Sequence, residues 1–283
     1  MAFTATTVNS AKAWAPDITT FAPADAVPDA LILQCSTVSG QVDGDAPAVR
    51  VAYVDDDEAQ FTAEGSEIPE GEPTLAEVLL HTAKVTQLVR LSNEQFNQTN
   101  TATQLSQSVS RAITRRADLA FVAEVAPSAP AVAPVAGLVN VPGIVAGDQI
   151  SGSLDALVDL VAQLQDHLSV PSAILVDPLG WGELRKLKVA NAYNQSLLGA
   201  GTSDAAQLLL SLPVLVNPAV PDYTGVVIDR NAVVSAVGQV KVATSEHAVF
   251  ASDSVLLRAT WRFGHAVVRP ERVGTFTIAA AGS

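Results

Sequence analysis

The sequence predicts a mixed α+β fold, and three observations point to it. Leu105, Val109, Ile113, Ala117 and Phe121 recur every four residues, the spacing of one buried helix stripe. Val49, Val51 and Tyr53 alternate with Arg50 and Ala52, and a second alternating run covers about 78–91, the period of half-buried strands. From Pro213 onward nearly everything reads as strands and turns, so a long early helix is followed by a β-rich final third.

In chain order, residues 1–48 are rich in Ala, Thr, Asp and Pro with little periodicity, the pattern of an extended arm that becomes ordered only against a partner. Leu31–Leu33 anchors it. The strand signal at 49–53, the acids Asp55, Asp56, Asp57 and Glu58, a Pro/Gly/Glu-rich segment at 63–73 and the run at 78–91 together read as a long two-stranded excursion with an acidic tip. Ser92-Asn93-Glu94-Gln95 fits a capping box, which satisfies orphan amides of a helix's first turn. After a polar interruption at 97–102, the long helix runs to about Glu124, with Arg111, Arg115 and Asp118 off its apolar stripe. A Pro-rich linker, 126–142, ends it. A second helix carries Leu154, Leu157, Val158, Val161, Leu164 and Leu168, and a strand follows at 172–176. Asp177 caps a third helix with Pro178 in its first position, and Arg185, Lys186 and Lys188 suit the negative end of its dipole.

Composition narrows the function. The 283 residues are 48% hydrophobic and 16% charged, against roughly 25% charged in an ordinary domain. With a mean hydropathy of +0.29, the chain has either a very large core or a surface covered by other subunits, and its length favours the second. A net charge of −13 argues against gripping a phosphate backbone through a basic surface. Fourteen of the 29 acidic residues fall in 1–90, beside only Lys12, Arg50, Lys84 and Arg90. Cys35 stands alone, so no intrachain disulfide forms, and the start of the chain lacks a signal-peptide pattern; a reducing cytoplasm is expected. The most apolar stretch, 126–146, is interrupted by Pro127, Pro130, Pro134 and Pro142, and no membrane span is expected.

No catalytic, cofactor or metal site is expected. His81, His167, His247 and His265 lack metal-ligand spacing and read as surface or interface residues. Gly199-Ala200-Gly201 reads as a turn rather than a phosphate cradle. The acids at 55–58 lack the alternation of a calcium loop and read as solvated. Cys35, in an arm, has no scaffold for nucleophilic chemistry, and no G-x-S-x-G elbow is present. Trp261, alternating with Arg262, reads as a core or interface strand residue.

An ordered series of segments carries a resemblance. It comprises Ala63-Glu64-Gly65-Ser66-Glu67-Ile68-Pro69, Lys84 leading to Val89-Arg90-Leu91-Ser92-Asn93-Glu94, and Ala117-Asp118-Leu119-Ala120-Phe121. Further on come Ile174-Leu175-Val176-Asp177-Pro178, Leu184-Arg185-Lys186-Leu187-Lys188, Leu212-Pro213-Val214-Leu215-Val216 and Val255-Leu256-Leu257-Arg258-Ala259-Thr260-Trp261-Arg262-Phe263-Gly264. In this order the series resembles the major capsid proteins of tailed bacteriophages with the HK97-type fold, actinobacteriophage members most.

The resemblance implies an N-terminal arm (1–48), an extended loop (49–91), a peripheral domain (92–139 and 246–283) with a spine helix at about 103–124, and an axial domain (140–245). The axial domains would crowd around the centres of hexamers and pentamers in an icosahedral shell. The partners implied are further copies of the chain, a portal, and a separate scaffolding or cement protein, with double-stranded DNA enclosed but not read by sequence. Location in the virion and assembly in the host bacterial cytoplasm follow. The inter-subunit contacts expected are Glu64, Glu67 and Ile68 of one loop against Arg111, Arg115, Arg258, Arg262 and Arg269 of a neighbour. The founding type joins a loop Lys to a neighbour's Asn; here Lys84, near the loop's base, is the only Lys between Val49 and Leu91, so no such crosslink is expected. The sequence departs from relatives in showing no long helical N-terminal segment, which leaves a separate scaffolding protein, or none, open, and in Ala123-Glu124-Val125 where Gly is common. An encapsulin-type nanocompartment shell and a cytoplasmic α/β enzyme stay open as alternatives.

Overall fold

The computed structural model describes residues 18–55, 61, 74–92, 94, 101–190, 193–196, 198, 207–245 and 252–280. The first part of the chain forms β1 (Ile18–Phe21), α1 (Pro23–Ala26), α2 (Leu31–Cys35), β2 (Thr37–Val42), β3 (Ala48–Asp55), β4 (Thr74–His81), β5 (Ala83–Ser92) and the long helix α3 (Thr101–Ala123). The middle forms β6 (Val145–Ala146), α4 (Asp155–Asp166), β7 (Ala173–Val176), α5 (Pro178–Lys186), β8 (Lys188–Ala190) and β9 (Tyr193–Ser196). The last part forms β10 (Leu208–Leu209), β11 (Leu212–Val216), β12 (Thr224–Ile228), β13 (Val233–Gly238), β14 (Val240–Ser245), β15 (Ser254–Val267) and β16 (Gly274–Thr277).

The first sheet is organised around β15. Its period-two sequence buries Val255, Leu257, Ala259, Trp261 and Phe263 on one face and leaves Arg258 exposed on the other. One edge pairs with β5, from Ser254↔Ser92 to Phe263↔Ala83. The opposite edge pairs with β14 and then β13, which run end to end along it, with β1 and β2 outermost. Trp261 Nε1 donates to Gly238 O at the join (2.9 Å). Helix α3 lays Val109, Ile113, Ala117 and Phe121 on the buried face, the four-residue stripe read from sequence. Each such large apolar side chain stabilises the fold by about 1.5–3 kcal/mol.

The second sheet runs β10-β11-β7-β12-β16-β6 among the described residues. β7 is a continuous apolar run because both its faces are covered. Leu175, Val226 and Ile228 join the core under α3, whereas Ile174, Val176, Val227 and Phe276 join a second core beneath α4 and α5. Gly225 makes this possible, since a Cβ there would overlap the Phe276 ring. Asp177 caps α5 as expected, accepting from Leu179 N and Gly180 N at 3.0 Å. A separate two-stranded ladder, β3–β4, runs from Ala48↔His81 to Asp55↔Thr74 and seats Val51 and Leu80 on Val42, Val234 and Ala236.

Several expectations change. Residues 27–42 are no loose arm: Val27, Leu31, Ile32 and Cys35 are buried in the main core, and β2 pairs in parallel with β13. Their apolar spacing is too short to show periodicity, yet one helical turn suffices to bury Leu31, Ile32 and Cys35 together. The run at 78–91 is two strands, because Thr82 breaks it by donating its N–H to Pro47 O and its hydroxyl to Ala46 O. Ser92 is the last residue of β5, and Asn93 and Gln95 of the expected capping box lie outside the described residues. On α4 the buried stripe is Leu157, Leu160 and Leu164, while Val158 and Leu168 are exposed. The linker after α3 returns to cap it: Asn140 Nδ2 donates to Ala123 O and Glu124 O, satisfying carbonyls that a helix end leaves free.

Candidate functional site

Among the described residues, Cys35, His265 and Asp118 are committed to structure. Cys35 is fully buried, and burial, with Asp118 adding to it, pushes its thiol up to about 12, so no thiolate nucleophile exists at neutral pH. His265 is a core residue and not a surface one: its Nε2 lies 3.1 Å from Ala136 O, its ring meets Phe121 edge-on at 5.0 Å, and burial pushes its pKa down to about 4. Asp118 accepts from Leu31 N and from Asn217 Nδ2, both at 2.8 Å, and burial raises its pKa. Among the described residues no cluster of His, Cys, Asp and Glu is arranged to hold a metal ion. His247, Gly199–Gly201 and the acids at 56–58 lie outside the described residues.

The exposed charge has a clearer pattern, set by strand register. Because directly paired residues share a face, Lys84 stands beside Arg262, Thr86 beside Thr260 and Lys241, Leu88 beside Arg258, and Arg90 beside Leu256. This face is turned away from α3, whose contacts are with the alternate residues. It therefore gathers Lys84, Arg90, Lys241, Arg258 and Arg262, five of the 16 Lys and Arg, on strands that contain no Asp or Glu. Arg262 is partly held by its own chain, donating to Thr82 Oγ1 (3.0 Å) with Asp45 3.9 Å away.

The arginines grouped together in the sequence are separated here. Arg258 and Arg262 share the open sheet face, whereas Arg111 and Arg115 are exposed on α3, two residues out of phase with its buried stripe and so on the opposite side of the sheet. Arg116 pairs with Glu124 at 2.6 Å. Arg269 lies beyond β15, ahead of the turn at Pro270–Arg272. Glu64, Glu67 and Ile68 lie outside the described residues. Sequence reading missed Lys84, Arg90 and Lys241, although the period-two alternation at 84–90 and 258–262 was the signal that would have put them with Arg258.

The sequence model of the phage capsid family matches residues 27–278. The chain belongs to the phage capsid family. This capsid protein is similar in structure to a chain of Gordonia phage Cozz, with 15% identity, 89% of this chain and 87% of that one covered, and a TM-score of 0.66. A chain of Mycobacterium phage Adephagia gives 15%, 94%, 100% and 0.66 for the same quantities. The capsid of a native GTA particle gives 17%, 88%, 90% and 0.63. No curated protein matches the capsid protein by sequence. At such identities the likeness is one of fold, and the fold is the HK97-type capsid fold. The role is structural: the chain is a subunit of the virion capsid, assembling with copies of itself into a shell. Neither the nanocompartment nor the enzyme alternative is favoured.

Proposed function

We propose that the chain is the major capsid protein that closes an icosahedral shell of hexamers and pentamers around double-stranded DNA, which it encloses without reading sequence. In this reading the first sheet with α3 is the peripheral domain, the second sheet with α4 and α5 the axial domain, and the β3–β4 ladder the root of the extended loop; against the bounds expected from sequence, β5, β13 and β14 move into the peripheral domain and β16 into the axial one. Assembly in the host bacterial cytoplasm, a portal in the shell, and a separate scaffolding or cement protein belong to the same reading. The observation that carries it is the match to the phage capsid family across 27–278. Purified protein viewed by negative-stain electron microscopy should show closed shells or capsomers, and a monomer at all salt and protein concentrations would overturn it.

The division of charge supports a particular contact. Between Arg50 and Leu80 the chain carries Asp55, Asp56, Asp57, Glu58, Glu64, Glu67, Glu70, Glu72 and Glu77 against Arg50 alone, while the charges that β5, β14 and β15 place on the open sheet face are all basic, with Asp45 beside Arg262. A neighbour's loop, with Glu64, Glu67 and Ile68, would lie over Arg258 and Arg262 of that face. Arg111 and Arg115 face away from the sheet on the far side of α3, so a loop lying over Arg258 and Arg262 would leave them to a different contact. Each exposed pair contributes only about 0–1 kcal/mol and weakens with salt, so the effect grows by repetition. Replacing Glu64 and Glu67 by Gln, or Arg258 and Arg262 by Gln, should raise the protein concentration needed for assembly at low salt and flatten its salt dependence. Unchanged assembly in both double variants would sink the pairing.

Lys84, the only Lys from Val49 to Leu91, lies on β5 within the sheet. Shells boiled in SDS should therefore run as a single band of monomer mass. A ladder that survives reducing agent would show a covalent link after all.

A further inference from the structure

Strand register lines one side of a cavity between α3 and the first sheet. The pairs Phe21↔Val240, Val242↔Ala259 and Thr244↔Leu257 put six side chains on the sheet face turned toward α3, because directly paired residues share a face. Leu105, Val109 and Ile113 of α3 line the space from the other side. Its volume is about 550 Å³, within the range of small-molecule sites. The floor is apolar and buried, at Val109, Ile113, Val240, Leu257 and Ala259. The exposed residues that line the cavity, and so form its mouth, are Phe21, Asp25, Gln107, Arg111 and Thr244. Asp25 and Arg111 are the two charges among the described lining residues. They adjoin one tie, in which Ser110 Oγ donates to Ala26 O (2.6 Å) and fixes α1 to α3. Neither forms an ion pair with the other or with any other described residue.

We propose that this cavity binds a single-chain zwitterionic amphiphile of the lysophospholipid kind, with the alkyl chain on the apolar floor, the phosphate on Arg111 and the cationic end of the head on Asp25. The site goes beyond the shell reading and does not depend on it. A buried apolar floor holds water poorly, since an ordered water needs several polar partners, so hydrocarbon is the matching occupant. The mouth decides the head group. A guanidinium fork matches the geometry of a phosphate, while the carboxylate at the same mouth repels a purely anionic head and attracts a cation. A fatty acid would therefore satisfy Arg111 and be opposed by Asp25, and an alkylamine the reverse. A head that carries both signs satisfies both residues at once.

Octyl-, decyl- and dodecylphosphocholine, each below its micelle concentration, are the probes, with binding to the purified chain followed by native mass spectrometry and by melting temperature. One molecule should bind per chain, affinity should rise about fourfold per methylene until the cavity is full, and bound ligand should raise the melting temperature. Dodecanoate and dodecylamine should each bind about fivefold more weakly than dodecylphosphocholine, as the loss of one polar contact implies. Arg111→Gln and Asp25→Asn change exposed residues, so the melting temperature without ligand should stay as it is while the preference for the zwitterion disappears. Ala259→Leu fills the floor and should abolish binding; its own melting temperature reports that it has folded. No binding by the wild type, as when another part of the chain or a second copy fills the cavity, overturns the site. So does affinity independent of chain length, or wild-type affinity in a folded Ala259→Leu variant. Equal affinity for the zwitterionic, anionic and cationic probes overturns the roles given to Arg111 and Asp25, and with them the proposed ligand class.

Discussion

Acidification from pH 6.5 to about 4 is expected to take about 3 kcal/mol from the stability of the dissociated subunit through His265 alone. The ring is buried against Phe121, and its pKa falls from 6.5 to about 4 because burial disfavours the imidazolium, the bond at Ala136 O offsetting only part of this. In the unfolded chain the same side chain takes up a proton near pH 6.5. Between the two values the unfolded state binds more protons than the folded one, so stability is present above pH 6.5 and lost as pH falls toward 4. Denaturant titrations at pH 8 and pH 4.5 on wild type and His265→Gln isolate the effect, since Gln can still donate to Ala136 O but does not titrate. An equal acid loss in both proteins would show that other groups govern it.

Replacing Asp118 by Ala should destabilise the subunit by about 3 kcal/mol, because a buried donor, Leu31 N, and a part-buried one, Asn217 Nδ2, lose their acceptor at once. This carboxylate ties together α3, the N-terminal segment at Leu31 and the loop after β11 at Asn217. Asp118→Asn keeps the shape but turns a donor toward one of those donors, and should cost about half as much. Burial raises the Asp118 pKa from 3.8, with the bonds from Leu31 and Asn217 opposing, so its titration acts opposite to that of His265: its contribution is greatest below pH 3.8 and declines as pH rises through the folded value. Alongside the loss in denaturant midpoint, proteolysis of the Ala variant should begin near residues 27–35. A change under 1 kcal/mol would mean that water replaces the carboxylate.

The long helix, the Asp177 cap and the β15 alternation were legible because each is written in local spacing or in a side chain acting within three residues. The burial of 27–35 was not, since Leu31, Ile32 and Cys35 become core only against residues nearly a hundred or two hundred positions later, such as Phe121 and Val233. His265 looked like a surface residue because one letter cannot report a neighbour such as Phe121. The candidate contact surface was half legible. Arg258 and Arg262 stood in an obvious strand, but grouping them with Arg111 and Arg115 ignored that a sheet has two faces. Lys84, Arg90 and Lys241 become their neighbours only through pairings that join residue 84 to 262 and 241 to 260.

The central place of β15 has a temporal consequence. Its partners β5, β13 and β14 are all synthesised before it, and β5 must wait for more than half the chain to emerge before its partner leaves the ribosome. β2 likewise waits for β13. Such long-range pairings give a high contact order and slow, late folding. The basic face, which exists only once β5, β14 and β15 are in register, thus forms after translation is nearly complete, and a prematurely terminated chain lacks the surface on which copies of itself would be recruited.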